Sequence, residues 1–212
     1  MVLQTLIKNQ EKIATAMAIF ATHNLADARS IQLLLTHGGV AAITAFIEDP
    51  EKIVTAMATM VAHGFQRSSM CALLTYGCQL AVHTFTNNPQ NIVSALALFR
   101  DSKSVNSVMT AERLLRVMTN GRVSVVTVLM ESQPQLSHSI SVLLHNNITD
   151  PMVVFLILET GDNSVIDLMI HYPQTLADII LSPVGTPHQM TVELLISIQV
   201  TLMGQPIHTP TQ

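Results

Sequence analysis

A hydrophobic residue, two further residues and a glycine recur four times along this chain at nearly constant spacing. The four segments are Leu35-Thr36-His37-Gly38, Leu74-Thr75-Tyr76-Gly77, Met118-Thr119-Asn120-Gly121 and Leu158-Glu159-Thr160-Gly161, with steps of 39, 44 and 40 residues between glycines. A proline stands twelve residues beyond three of them (Pro50, Pro89, Pro173) and thirteen beyond the other (Pro134). A period near 40 residues belongs to stacked helical units, each burying its apolar flank against the next. Such arrays present surfaces rather than enclosed chambers, which favours binding over chemistry.

The residues inside one period define three helices. A short apolar helix over Ile31 to His37 is expected to end at Gly38-Gly39, through the left-handed conformation that glycine readily adopts. A second runs from Val40 to Ile47, with Val40, Ile43, Phe46 and Ile47 spaced to share an inward face. Asp49 then caps a third, longer helix, and Pro50 takes its first position, where a missing amide hydrogen costs nothing. That helix runs to His63 with Ile53, Ala56, Met57, Met60 and Val61 inward, and Gly64 ends it. The slots recur: Ile43, Val82, Val126 and Ile166 five residues after each glycine, and Phe46, Phe85, Leu129 and Met169 eight after it. In the long helices Ile13, Ile53, Ile92, Leu136 and Leu176 are followed four residues later by Met17, Met57, Leu96, Ile140 and Ile180. Small residues beside them (Ala16, Ala56, Ala95, Ser139) allow close helix approach. The 44-residue step places about five extra residues around Asp101–Asn106.

Over Ile31 to Ala62 the short helix, the Gly38-Gly39-Val40 turn, the acidic-Pro junction Glu48-Asp49-Pro50 and the alanines Ala56, Ala58 and Ala62 resemble an armadillo repeat. The resemblance is best over Ile31–Phe99 and looser towards both ends. It implies an all-α fold: an armadillo-like right-handed α-solenoid of about five roughly 40-residue three-helix repeats. One domain over 1–203 is expected, closed by a cap helix over Met190–Met203 (Leu194, Leu195, Ile198 and Leu202 inward), with a loose C-terminal tail over 204–212. In that family the third helices line a concave groove that holds extended peptides, often through asparagines beside tryptophans. This chain has no tryptophan, and Thr22-His23 and Ala62-His63 stand in the asparagine's place late in the third helix. Groove binding is therefore expected here without that ladder.

If the long helices line a groove, the residues opposite their buried stripe face a partner. These are Lys12, Thr15 and Ile19 in the first, Lys52, Thr55, Thr59 and His63 in the second, Asn91, Ser94 and Leu98 in the third, and His138, Val142 and His145 in the fourth. The lining is mostly uncharged, suiting a protein or peptide ligand such as an amphipathic helix with a few hydrogen-bonding anchors. A second candidate is the basic cluster Arg100, Lys103, Arg113, Arg116 and Arg122, in which Arg113 and Arg116 lie one turn apart. It suits an acidic partner. Without interleaved aromatics, and with a net charge of −4, the sequence argues against nucleic acid.

Composition narrows the rest. Charged residues are 11% of the chain against about 25% in ordinary soluble domains, while apolar residues are 49%. So little charge leaves self-association, a homo-oligomer, open. The charge is also segregated: residues 1–122 carry a net +3 and residues 123–212 carry seven acids and no base. No run spans a bilayer, and no signal peptide is legible, so a cytoplasmic chain without membrane insertion is expected. Cys71 and Cys78 fit neither a disulfide framework nor a zinc motif. No phosphate loop, nucleophile elbow or His-Glu-x-x-His is present, so neither enzyme activity nor a cofactor or metal is expected. His23 and His63 occupy equivalent slots, consistent with a structural role at helix ends.

Overall fold

Breakers and caps put three helices into each period, and the chain obeys them. The computed structural model describes residues 7–24, 27–100, 107–148 and 151–181, which are all-α: thirteen helices and no strand among the described residues. In chain order the helices are α1 (Gln10–Thr22), α2 (Ala28–His37), α3 (Val40–Glu48), α4 (Pro50–Ala62), α5 (Arg67–Tyr76), α6 (Gln79–Asn87), α7 (Pro89–Arg100), α8 (Ser107–Asn120), α9 (Val123–Glu131), α10 (Gln133–His145), α11 (Pro151–Thr160), α12 (Asn163–His171) and α13 (Pro173–Leu181). The expected cap helix over 190–203 and the tail over 204–212 lie outside the described residues.

The helices fall into two compact units. The first (1–101 and 105–131) holds α1 to α9, and the second (102–104 and 132–212) holds α10 to α13. In the first unit, helices of one kind lie side by side. The short first helices stack as α2 on α5 and α5 on α8, the second as α3 on α6 and α6 on α9, and the third as α1 on α4 and α4 on α7. In the second unit α10 packs on α12 and α13, and α12 also contacts α11 and α13.

Burial follows the repeated slots. Ile43, Val82, Val126 and Ile166 are buried, and Phe46, Phe85, Leu129 and Met169 are fully enclosed. Each such side chain contributes about 1.5–3 kcal/mol relative to exposure. The close-approach positions Ala16, Ala56, Ala95 and Ser139 are likewise sealed. Asp49 caps α4 as expected, accepting from the Lys52 amide at 3.2 Å, with Pro50 in the first turn.

Four expectations need correction. Gly38 and Gly77 do not enter the left-handed region; their φ values are −61° and −65°. Each amide still donates to the carbonyl four residues back (Gly38 to Leu34 and Gly77 to Leu73, both 2.8 Å) while the chain turns into the next helix. A Cβ at Gly38, Gly77 or Gly121 would fall inside the carbonyl oxygen of Leu34, Leu73 or Val117. Glycine is demanded by a close approach, not by a dihedral. The left-handed bends sit instead after the third helices, at Asn24 (φ 49°), Gly64 (φ 87°) and Asn147 (φ 61°). Second, Val40 is 57% exposed, because its place in the first turn of α3 points it off the corner; Ala42 takes the buried place. Third, Met17 is 41% exposed whereas Met57 and Leu96 are sealed, because α1 ends the row of third helices in the first unit and α4 and α7 each have a preceding neighbour. Fourth, the extra length of the third period includes an added first turn in α8, which has 14 residues where α2, α5 and α11 have 10.

Candidate functional site

The third helices α1, α4 and α7 set their outward residues in one row across the first unit. Lys12, Thr15, Lys52, Thr55 and Asn91 are exposed, and Ile19, Thr59, His63, Ser94 and Leu98 are half-buried. The threonine hydroxyls are not idle donors. Thr15 donates to the Glu11 carbonyl (3.0 Å), Thr55 to Glu51 (2.9 Å) and Thr59 to Thr55 (2.9 Å). With the hydroxyls turned back onto the helix, the row offers methyl groups beside Ile19 and Leu98, and lysines lie at the helix starts.

In the second unit α10 carries exposed His138 and His145 and half-buried Val142. The His145 ring Nδ1 lies 3.1 Å from the Ser141 carbonyl. Beside them is an amide pair that the sequence did not announce. Asn146 Nδ2 donates to Gln174 Oε1 (3.1 Å) and Gln174 Nε2 donates back to Asn146 Oδ1 (3.2 Å), bridging the end of α10 to α13. Gln174 Nε2 also reaches Asp178 Oδ1 at 3.0 Å. Nothing in the one-dimensional pattern marked Asn146 and Gln174 as partners, since they lie 28 residues apart.

Ser139 was read as a small residue and does more. Its hydroxyl lies 2.6 Å from the Met169 carbonyl of α12 and 2.9 Å from the Gln135 carbonyl of its own helix. The group four residues after Met169 is Pro173, which has no amide hydrogen to offer that carbonyl. Ser139 supplies the missing donor. Alanine fills the same slot at Ala16, Ala56 and Ala95, although Pro50 and Pro89 stand four residues after Phe46 and Phe85 just as Pro173 follows Met169, so nothing in the sequence marked the serine as a donor.

The basic cluster is only partly described. Lys103 lies outside the described residues. Arg100 ends α7, and α8 carries Arg113, half-buried, and Arg116, exposed, with Arg122 exposed at the α8–α9 turn. His23 and His63 both follow directly on a third helix, at its C-cap position. His37 and Tyr76, at the ends of α2 and α5, bring their rings to 6.5 Å between centroids.

Cys71 is half-buried, and burial pushes its thiol up, against a lowering contact from the Ser30 hydroxyl; a raised thiol is a poor nucleophile near neutral pH. Asp27 caps α2: the Ser30 amide donates to its carboxylate, holding that group below its ordinary range. Among the described residues no three His, Cys, Asp or Glu side chains gather as a metal-ligand set, and no helix is long and apolar enough to cross a membrane. A surface groove of about 470 Å³ opens elsewhere, between α3 and α6, lined in part by Gly39, Val40, Thr44, Gln79, His83 and Asn87. Compared with known proteins, the chain matches no family model, no curated protein and no solved structure.

Proposed function

We propose that this chain is an armadillo-like, right-handed α-solenoid of about five three-helix repeats, acting in the cytoplasm as a non-catalytic scaffold. Its ligand is a peptide or helical segment of another protein, held along the third-helix row. One observation carries this reading: Lys12/Thr15/Ile19, Lys52/Thr55/Thr59 and Asn91/Ser94/Leu98 stand at matching positions on three helices that lie side by side. A ligand crossing α1, α4 and α7 meets the same chemistry at each step, which is how repeat arrays read long segments. The self-satisfied threonines leave a mainly apolar strip, so affinity comes from buried methyl groups and the lysines select for acidic flanks.

A photo-crosslinking amino acid placed at Thr55 or Asn91 tests it. Both positions are expected to label the same partner segment, and Thr55→Arg with Thr59→Arg is expected to abolish labelling at Asn91 while the melting temperature holds. Equal labelling from an outward position on the first helices, such as Gln32, overturns the assignment of the row.

A further inference from the structure

Charge is partitioned along this chain more sharply than its net value suggests. From Lys52 to Arg100 there is no acid, only Lys52, Arg67 and Arg100 with His63 and His83; from Arg113 to Met130 there is again no acid and three arginines. From residue 123 to 212 the situation reverses, with Glu131, Asp150, Glu159, Asp162, Asp167, Asp178 and Glu193 and not one base. Two copies of such a chain attract each other whenever the positive part of one meets the negative part of the other.

The first unit also carries an apolar edge in acid-free stretches of the chain. At the turns between first and second helices, Val40, Tyr76 and Val123 are 57%, 56% and 57% exposed. They sit at adjacent turns, since α2, α5 and α8 stack, as do α3, α6 and α9. The His37 and Tyr76 rings lie against each other across two of these turns, and Arg122 is exposed at the third. The groove between α3 and α6 opens beside Val40 and Gln79. No acidic residue lies between Thr36 and Ile47, between Thr75 and Asn87, or between Thr119 and Met130. Large apolar side chains clustered at one edge mark an interaction surface.

We infer that this edge docks on the base-free rear part of a second copy of the chain, where Asp167 and Asp178 are exposed. The contact is head-to-tail: different patches on the two copies meet, so association continues into chains or closes into rings. It uses the first-to-second-helix edge and leaves the third-helix row free, so it stands apart from the ligand reading above.

Sedimentation velocity on the full chain, over a dilution series at low and high salt, tests this. Concentration-dependent association is expected, weakening as added salt shortens the screening length from about 10 Å at 0.1 M to about 3 Å at 1 M. The double variants Tyr76→Glu/Val123→Glu and Asp167→Lys/Asp178→Lys are each expected to weaken association by about tenfold or more. Mixed together, they are expected to form a 1:1 dimer that neither forms alone, because each retains the patch the other has lost. Should Tyr76→Glu/Val123→Glu melt early, Tyr76→Ser/Val123→Ser removes the apolar area without a buried charge. A monomer at every concentration, association blind to both double variants, or a mixture that stays monomeric overturns the inference. So does association lost with Thr55→Arg/Thr59→Arg alone, which would place the contact on the third-helix row.

Discussion

Two bends recur in this chain, and glycine serves them for opposite reasons. After the third helices α1, α4 and α10 the backbone passes through the left-handed region, at Asn24, Gly64 and Asn147. There the Phe65 amide reaches the Met60 carbonyl (3.2 Å) and the Gly64 amide reaches Val61 (3.0 Å), and the Ile148 and Asn147 amides repeat the pattern on Leu143 and Leu144. Phe65 and Ile148 then bury themselves beneath the closed end. This is the paired closure in which a positive φ is required, and asparagine tolerates it. Between the first and second helices the φ values at Gly38 and Gly77 are ordinary, yet no Cβ fits. Position in the repeat decides which constraint operates, not residue type.

The first-to-second-helix bend predicts the largest effect. A side chain at Gly77 meets the Leu73 carbonyl, which is backbone and already accepts the residue's own amide at 2.8 Å. Gly77→Ala is expected to cost about 3 kcal/mol, since either that hydrogen bond or the angle between α5 and α6 must give way. Gly77→Asn is expected to cost as much, because asparagine's tolerance of positive φ is irrelevant there. Urea unfolding reads both; a loss under about 1 kcal/mol would mean that the bend adjusts freely.

That outcome bears on what a one-dimensional reading can extract. Helix order, the Asp49-Pro50 cap and the buried rows at Ile43 and Phe46 were legible, because each follows from spacing and from chemistry local to a few residues. The glycine period was legible as punctuation while its cause was not, since proximity to Leu34 or Leu73 oxygen is a three-dimensional fact. Met17 misled for a related reason: its slot is apolar in every repeat, but exposure depends on whether a neighbour precedes it. On the candidate surface, the threonine row was legible from helical phase. The Asn146–Gln174 pair was not, because which residues face each other across two helices depends on their relative slide, and sequence spacing leaves that open. Val40 was assigned inward by the three-four rule, which does not see that the first turn of a short helix overhangs the corner.

The two units meet the same proline with different residues. Pro173 leaves the Met169 carbonyl of α12 without an intrahelical donor, and Ser139 of α10 fills the gap at 2.6 Å. Pro50 and Pro89 stand in the same relation to Phe46 and Phe85 in the first unit, where the matching slots are Ala16 and Ala56. Ser139→Ala is expected to cost about 1–3 kcal/mol, the penalty of stranding a buried acceptor. Ser139→Cys, nearly isosteric but a weak donor, is expected to fall between the two. If Ser139→Ala is neutral by urea unfolding, the serine is simply a small residue that fits, as alanine does in the other repeats.

The smallest effect separates the bends most cleanly. At Gly64 the φ of 87° lies in the left-handed region, which disfavours any Cβ, so Gly64→Ala is expected to lose about 1–2 kcal/mol. Gly64→Asn is expected to lose only a few tenths, because asparagine already holds this position after α1 and α10. The two asparagine substitutions thus have opposite expectations: nearly silent at Gly64 and as damaging as alanine at Gly77. Measured in one urea series, equal losses at both sites would dissolve the distinction between a steric and a dihedral glycine. A wide gap would mean that the forty-residue glycine period records the tightness of the first bend, and that the third helices, which carry the candidate binding row, end by a separate and more permissive rule.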